Sequence, residues 1–286
     1  MIWIHPGDFL TQDASPKRYG PDLWMDQDVI IVAIQYRLGP FGFLSTENEE
    51  APGNLGLRDQ ALALEWIKSE AENFFGNPNK ITVFGSGSGG ASAFIQMLSP
   101  TNARKNLFRG IISQSGIPLT HTVGLQSFSS KELMLKFAKS LGCLTKKVCT
   151  YDILILPSKK IFNKNFSEFF KTTLECLKKK VDTSTIILKS LKFPAKSWQP
   201  MIDKEFNISD PFIPGDPMTL LKNGNFSRDG NNFVSVMLGH NTEEGLIHLA
   251  PFIQKSMLFK NISVQLPSIL FPTHEIESNL VKMMKK

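Results

Sequence analysis

The sequence is poor in cysteine and tyrosine and has no long apolar run. Three cysteines in 286 residues are too few for a disulfide scaffold or a cysteine-rich zinc module. No stretch approaches the ~20 continuous apolar residues of a membrane-spanning helix. Met1 is not followed by a basic segment, an apolar stretch and a small-residue cleavage site, so no signal peptide is expected. Instead Ile2-Trp3-Ile4-His5 reads at once as a strand inside a core. There is no internal repeat, no low-complexity tract and no nucleic-acid motif. Hydrophobic residues make up 42% and charged residues 20%, which excludes disorder, collagen and coiled coil as whole-chain descriptions. A chain of this length buries a sizeable core and needs no metal to fold.

Charge is uneven. Up to Pro118 there are 9 Lys/Arg against 12 Asp/Glu, and beyond it 23 against 14. The excess lies partly in clusters such as Lys178, Lys179 and Lys180, which read as solvated surface. Four Asn-x-Ser sequons, at Asn165, Asn207, Asn225 and Asn261, are N-glycosylation candidates. Cys143 and Cys149 are close enough in sequence to close a small disulfide loop, leaving Cys176 over. A secreted chain explains both features, and a cytosolic chain with free thiols is the alternative.

Residues 1–118 alternate strand and helix patterns. Val29–Tyr36 is an apolar, β-branched run, as expected of a buried parallel strand. Arg58–Glu70 carries Ala61, Leu64 and Ile67 among helix formers and reads as a helix. Lys80–Phe84 is a second buried strand, Gly85–Gly90 a glycine-rich turn, and Ala91–Leu98 a helix stopped at Ser99-Pro100. Phe108–Ser113 is another strand. This order signals a parallel α/β sheet. Residues 119–200 are lysine-rich with helices expected at Ser130–Leu141 and Ser167–Lys180, a lid-like region. Residues 201–286 return to the core, with a strand at Val234–Gly239, and end in a tail.

A strand running through a glycine-rich turn into a helix serves either phosphate binding or the nucleophile elbow of a hydrolase. Gly85-Ser86-Gly87-Ser88-Gly89 lacks the lysine and the glycine spacing of a phosphate loop. It keeps the outer glycines of Gly-x-Ser-x-Gly, but Gly87 stands between them.

Six ordered blocks make the chain similar to the type-B carboxylesterase family. Trp3-Ile4-His5-Pro6-Gly7-Asp8-Phe9 resembles W-I-H-G-G-G-F, and Gln35 to Leu44 resembles Q-Y-R-L-G-x-F-G-F-L. Pro52 to Gln60 resembles P-G-N-x-G-L-x-D-Q, and Phe84 to Gly90 stands where the family has F-G-E-S-A-G-G. Ser113-Gln114-Ser115-Gly116 and Asn241-Thr242-Glu243-Glu244-Gly245 resemble S-Q-S-G and N-x-D-E-G. The resemblance implies one partial α/β-hydrolase domain over residues 1–286, a mostly parallel sheet flanked by helices and incomplete at both ends. It implies no cofactor and no metal, and a secreted or extracellular setting.

Carried over by position, the resemblance puts the nucleophile at Gly87, where the serine is lost, and the acid at Glu244. It puts the oxyanion-hole N–H groups at Gly7, Asp8 and Ser88. Phe74 to Pro78 and Ala91 to Pro100 flank the turn at the family's usual distances, so no slipped register brings Ser86 or Ser88 to the nucleophile position. No H-G-x-E segment supplies a catalytic histidine. His274 precedes Glu275 without the glycine, His5 belongs to the oxyanion segment, and His121, His240 and His248 match no catalytic position. Asp8 sets a carboxylate where negative charge would develop, and Pro6 removes an N–H and constrains the loop. The expectation is a catalytically inactive carboxylesterase-like protein that binds a hydrophobic ester-like small molecule or a protein partner. An active ester hydrolase using Ser-His-Glu acyl transfer, with its missing parts outside this chain, is the first alternative. A non-catalytic adhesion-type relative is the second.

Overall fold

A computed structural model describes residues 1–119, 124–126, 129–144, 164–206, 208–223, 234–242 and 244. Among the described residues five strands form one sheet, β1 (Ile2–Ile4), β2 (Val32–Ile34), β3 (Thr82–Ser86), β4 (Gly110–Gln114) and β5 (Ser235–Gly239), in the order β2-β1-β3-β4-β5. The β1–β2, β1–β3 and β3–β4 pairs are all parallel. β1 is fully buried between its neighbours, as Ile2-Trp3-Ile4 requires. Its three residues also limit β2, because only Val32 to Ile34 find partners along it. The strand expected over 29–36 is therefore shorter.

The helices are α1 (Gly39–Phe43), α2 (Leu55–Glu70), α3 (Ser88–Leu98), α4 (Pro100–Lys105), α5 (Ser130–Ser140), α6 (Lys164–Lys180), α7 (Thr183–Ser190) and α8 (Pro217–Lys222). α3 is buried on every side, which suits its small residues Gly89, Gly90, Ala91, Ser92 and Ala93. It begins three residues earlier than Ala91, inside the glycine run. Tight packing overrides the low helix propensity of glycine there. α7 carries the β-branched run Thr185-Ile186-Ile187, and it forms because Asp182 caps it by accepting the Thr185 N–H at 2.9 Å.

The main core joins the two sheet faces to α2 and α3 through Ile4, Phe9, Phe43, Leu57, Leu64, Val83 and Ile95, each 1% exposed or less. A second cluster sets Met134, Leu135 and Ala138 of α5 against Phe170, Leu174 and Leu177 of α6. That packing corrects the expected disulfide. Cys143 pairs with Cys176, not Cys149, with Cα atoms 5.7 Å apart. The α5–α6 contact carries Cys176 to the end of α5, a proximity that sequence spacing does not encode. Cys149 lies outside the described residues. Among the clustered lysines, Lys178 and Lys179 are exposed, and Lys179 pairs with Glu175 one turn earlier.

By internal packing the chain divides into two compact units, Met1–Leu238 and Gly239–Lys286. Among the described residues no helix is long and apolar enough to cross a membrane.

Candidate active site

The turn after β3 holds the candidate chemistry. Gly87 caps the N-terminus of α3 at φ 53° and ψ −120°, a conformation that costs most residues about 1–3 kcal/mol. Its N–H donates to the Gln114 carbonyl at 2.8 Å, and its own carbonyl accepts from Ala91 N–H at 2.9 Å. The surrounding glycines hold the turn in register. A Cβ on Gly85 would stand 2.4 Å from the Gly89 carbonyl carbon, and one on Gly89 only 2.1 Å from the Ile4 oxygen. A Cβ on Gly116 would stand 1.8 Å from the Gly87 oxygen. Strand and helix therefore meet so closely that side chains are excluded on both sides of the turn. At Gly87 itself a Cβ meets nothing nearer than the Pro6 Cβ at 3.8 Å. The open position carries no side chain.

The loop after β1 comes to the same place. Gly7, Asp8 and Phe9 all have positive φ, at 119°, 56° and 60°. The Leu10 and Thr11 N–H groups both donate to the Gly7 carbonyl. Phe9 is fully buried against Phe43, with ring centroids 5.1 Å apart, and anchors the loop. The Asp8 N–H donates to Ser88 Oγ at 3.0 Å, which joins loop and elbow across 80 residues. Gly7, Asp8, Gly87 and Ser88 are thus brought together.

His5 and Tyr36 form the floor beneath this loop. Their rings stack with centroids 4.5 Å apart, and the Tyr36 hydroxyl donates to the His5 carbonyl at 3.0 Å. Burial holds the Tyr36 hydroxyl protonated well above the ordinary tyrosine range. Burial also lowers the His5 pKa, outweighing its bond to Pro6 and the nearby Asp13 charge. His5 Nδ1 lies 2.8 Å from the Pro6 carbonyl and so carries the proton, while Nε2 is buried without a protein partner.

Glu244 belongs to the second unit, where it is exposed and one carboxylate oxygen accepts the Asn241 N–H at 2.8 Å. His240 is exposed beside it in sequence, with Nδ1 3.0 Å from the Asn241 carbonyl. Glu243, His121, His248 and His274 lie outside the described residues, as do the sequon residues Asn207, Asn225 and Asn261. Asn165 lies on α6.

Two features carry no sequence motif of their own. Ser88 is fully buried, and its hydroxyl, not only its N–H, takes part in the site. Asp203, also fully buried, accepts from Phe212 N–H at 3.0 Å, Ile213 N–H at 2.9 Å and Asn54 Nδ2 at 3.1 Å. It thereby ties Phe212 and Ile213 to the start of α2 through Asn54. The signal for Ser88 was present as a polar residue where the family pattern has alanine.

A parallel sheet with flanking helices and a sharp strand–turn–helix elbow at its centre defines an α/β-hydrolase fold. Within that fold the chain belongs to the carboxylesterase family, whose profile matches residues 1–283. It is 35% identical over 270 residues to venom carboxylesterase-6 of Apis mellifera, covering 92% of this chain and 42% of that protein. It is 29% identical to the juvenile hormone esterase of Tribolium castaneum, covering 100% of this chain and 46% of the relative. Over 152 residues it is 42% identical to the human bile salt-activated lipase, covering 50% of this chain and 19% of the lipase. The chain spans less than half the length of these relatives.

Proposed function

We propose that this chain is a carboxylesterase-fold protein without esterase catalysis, which keeps the family's binding architecture at the elbow. The single observation behind this reading is Gly87. It occupies the open, strained turn position between two close-packed glycines, and it has no side chain to attack a carbonyl. Loss of the nucleophile typically costs about 10⁶ in rate. Neither neighbour substitutes for it. Ser86 closes β3, paired in register with Gln114, and Ser88 is buried with its hydroxyl bonded to the Asp8 N–H.

The ligand class is a hydrophobic ester-like small molecule, in keeping with the ester-cleaving relatives. An extracellular setting accords with the Cys143–Cys176 disulfide and with the venom relative. Hydrolysis of p-nitrophenyl butyrate by the purified chain tests the reading, with Ser86→Ala and Ser88→Ala variants alongside. Rates at buffer background are expected for all three. Turnover that disappears with either serine substitution would overturn it.

A further inference from the structure

We infer that Ser88 closes the oxyanion hole from within, its hydroxyl oxygen taking the Asp8 N–H that a working esterase of this fold would present to the developing oxyanion. The inference rests on the reading above that Gly7, Asp8 and Ser88 are the oxyanion positions. It adds a lesion distinct from the missing nucleophile, one that a serine at position 87 would not repair.

The geometry is local. The Asp8 N–H and Ser88 Oγ are 3.0 Å apart, a full hydrogen bond for an amide donor. Beside it the Tyr36 hydroxyl donates to the His5 carbonyl at 3.0 Å. Ser88 is fully buried and Tyr36 is 7% exposed, so water does not compete for these bonds. The Tyr36 ring is further held by stacking on His5. Alanine, the residue of the family pattern at this position, offers no such acceptor and leaves the N–H for the substrate.

The same bond has a structural effect. It fastens the loop at Asp8 and Phe9, both left-handed at φ 56° and 60°, to the first turn of α3. Ser88 thus exchanges an anion-binding donor for a fixed loop. In a working hydrolase one oxyanion donor contributes about 10²–10³ in rate.

The test uses a thiol introduced by Gly87→Cys, for which there is space, since a Cβ there meets only Pro6 at 3.8 Å. p-Nitrophenyl acetate acetylates the thiol through an oxyanion: a C–S bond forms, the acyl C–O bond of the ester breaks, p-nitrophenolate leaves and the thiol proton goes to solvent. Iodoacetamide alkylates the same thiol by displacing iodide, with no oxyanion. Both rates are read at position 87 by peptide mass, for Gly87→Cys alone and for Gly87→Cys with Ser88→Ala. Acetylation is expected to rise at least about tenfold when the hydroxyl is removed, with alkylation unchanged. Equal acetylation rates would overturn the inference, and so would an equal rise in both reactions, which would mean altered access only.

A second measurement needs no change at position 87. The Asp8 amide should exchange hydrogen at least about tenfold faster in Ser88→Ala than in the unaltered chain, and unchanged exchange would also overturn the inference. Acetylation of Ser86 or Ser88 in the unaltered chain would instead bring down the proposed function, leaving the exchange comparison to decide this point.

Discussion

Replacing Gly89 by alanine tests the register of the elbow, and Gly87→Ala is its control. Gly89 lies in the first turn of α3, where alanine alone would favour the helix by about 1 kcal/mol. The added Cβ would fall 2.1 Å from the Ile4 oxygen and 2.9 Å from both the Ile4 carbonyl carbon and the His5 oxygen. All three are backbone atoms of or next to the buried strand β1, so no side chain can rotate away. Overpacking of this kind typically costs about 1–3 kcal/mol, and a rigid backbone contact belongs at or above the top of that range. At Gly87 the Cβ has space, and the penalty is the backbone conformation alone, about 1–3 kcal/mol. Reduced freedom of the unfolded chain returns about 0.4–1 kcal/mol of it. Urea unfolding followed by tryptophan fluorescence should place Gly89→Ala at least about 2 kcal/mol below the parent and Gly87→Ala about 1 kcal/mol below. The reverse order, or a silent Gly89→Ala, would mean that the open elbow position is not residue 87.

Three further outcomes are expected. A non-reducing peptide map should show Cys143 linked to Cys176, and reducing this 33-residue loop should cost about 3–4 kcal/mol on the chain-entropy estimate; a Cys143–Cys149 peptide would contradict the α5–α6 packing. Asp203→Ala should lower stability by about 3–5 kcal/mol in thermal unfolding, because the Phe212, Ile213 and Asn54 donors lose one shared buried acceptor; a change within about 1 kcal/mol would show that water replaces it. His5 binds a proton less readily when folded than when unfolded, so its contribution to stability is complete above the ordinary histidine value of 6.5 and is lost as pH falls through it toward the lower folded value. An NMR titration midpoint above 6.5 for this ring would contradict that.

Much of the fold was legible because its strands are short, apolar and separated by glycine. Ile2 to Ile4, Lys80 to Phe84 and Val234 to Gly239 all read as strands and all contribute strands to one sheet. The close approach at the elbow was legible too, because only Gly85 and Gly89 fit between β1, β3 and α3. Lengths were less so. β2 is set by its three-residue partner rather than by its own eight-residue apolar run. The α3 start is set by burial, and α7 by the Asp182 cap against an unfavourable β-branched run. The disulfide was misread because proximity in sequence stood in for the packing of α5 on α6. At the candidate site the backbone positions were readable from the family pattern. The Asp8–Ser88 and Tyr36–His5 bonds were not, because they join segments that meet only in the folded molecule.

The most direct measurement is labelling of the purified chain with a fluorophosphonate, which reacts with activated serines, followed by peptide mapping across residues 80–105. The peptide containing Ser86, Gly87 and Ser88 should remain unmodified under conditions that fully label an active esterase. A stoichiometric adduct on Ser86 or Ser88 would show that a neighbouring hydroxyl has taken over as nucleophile, and would contradict the conclusion that this elbow performs no catalysis.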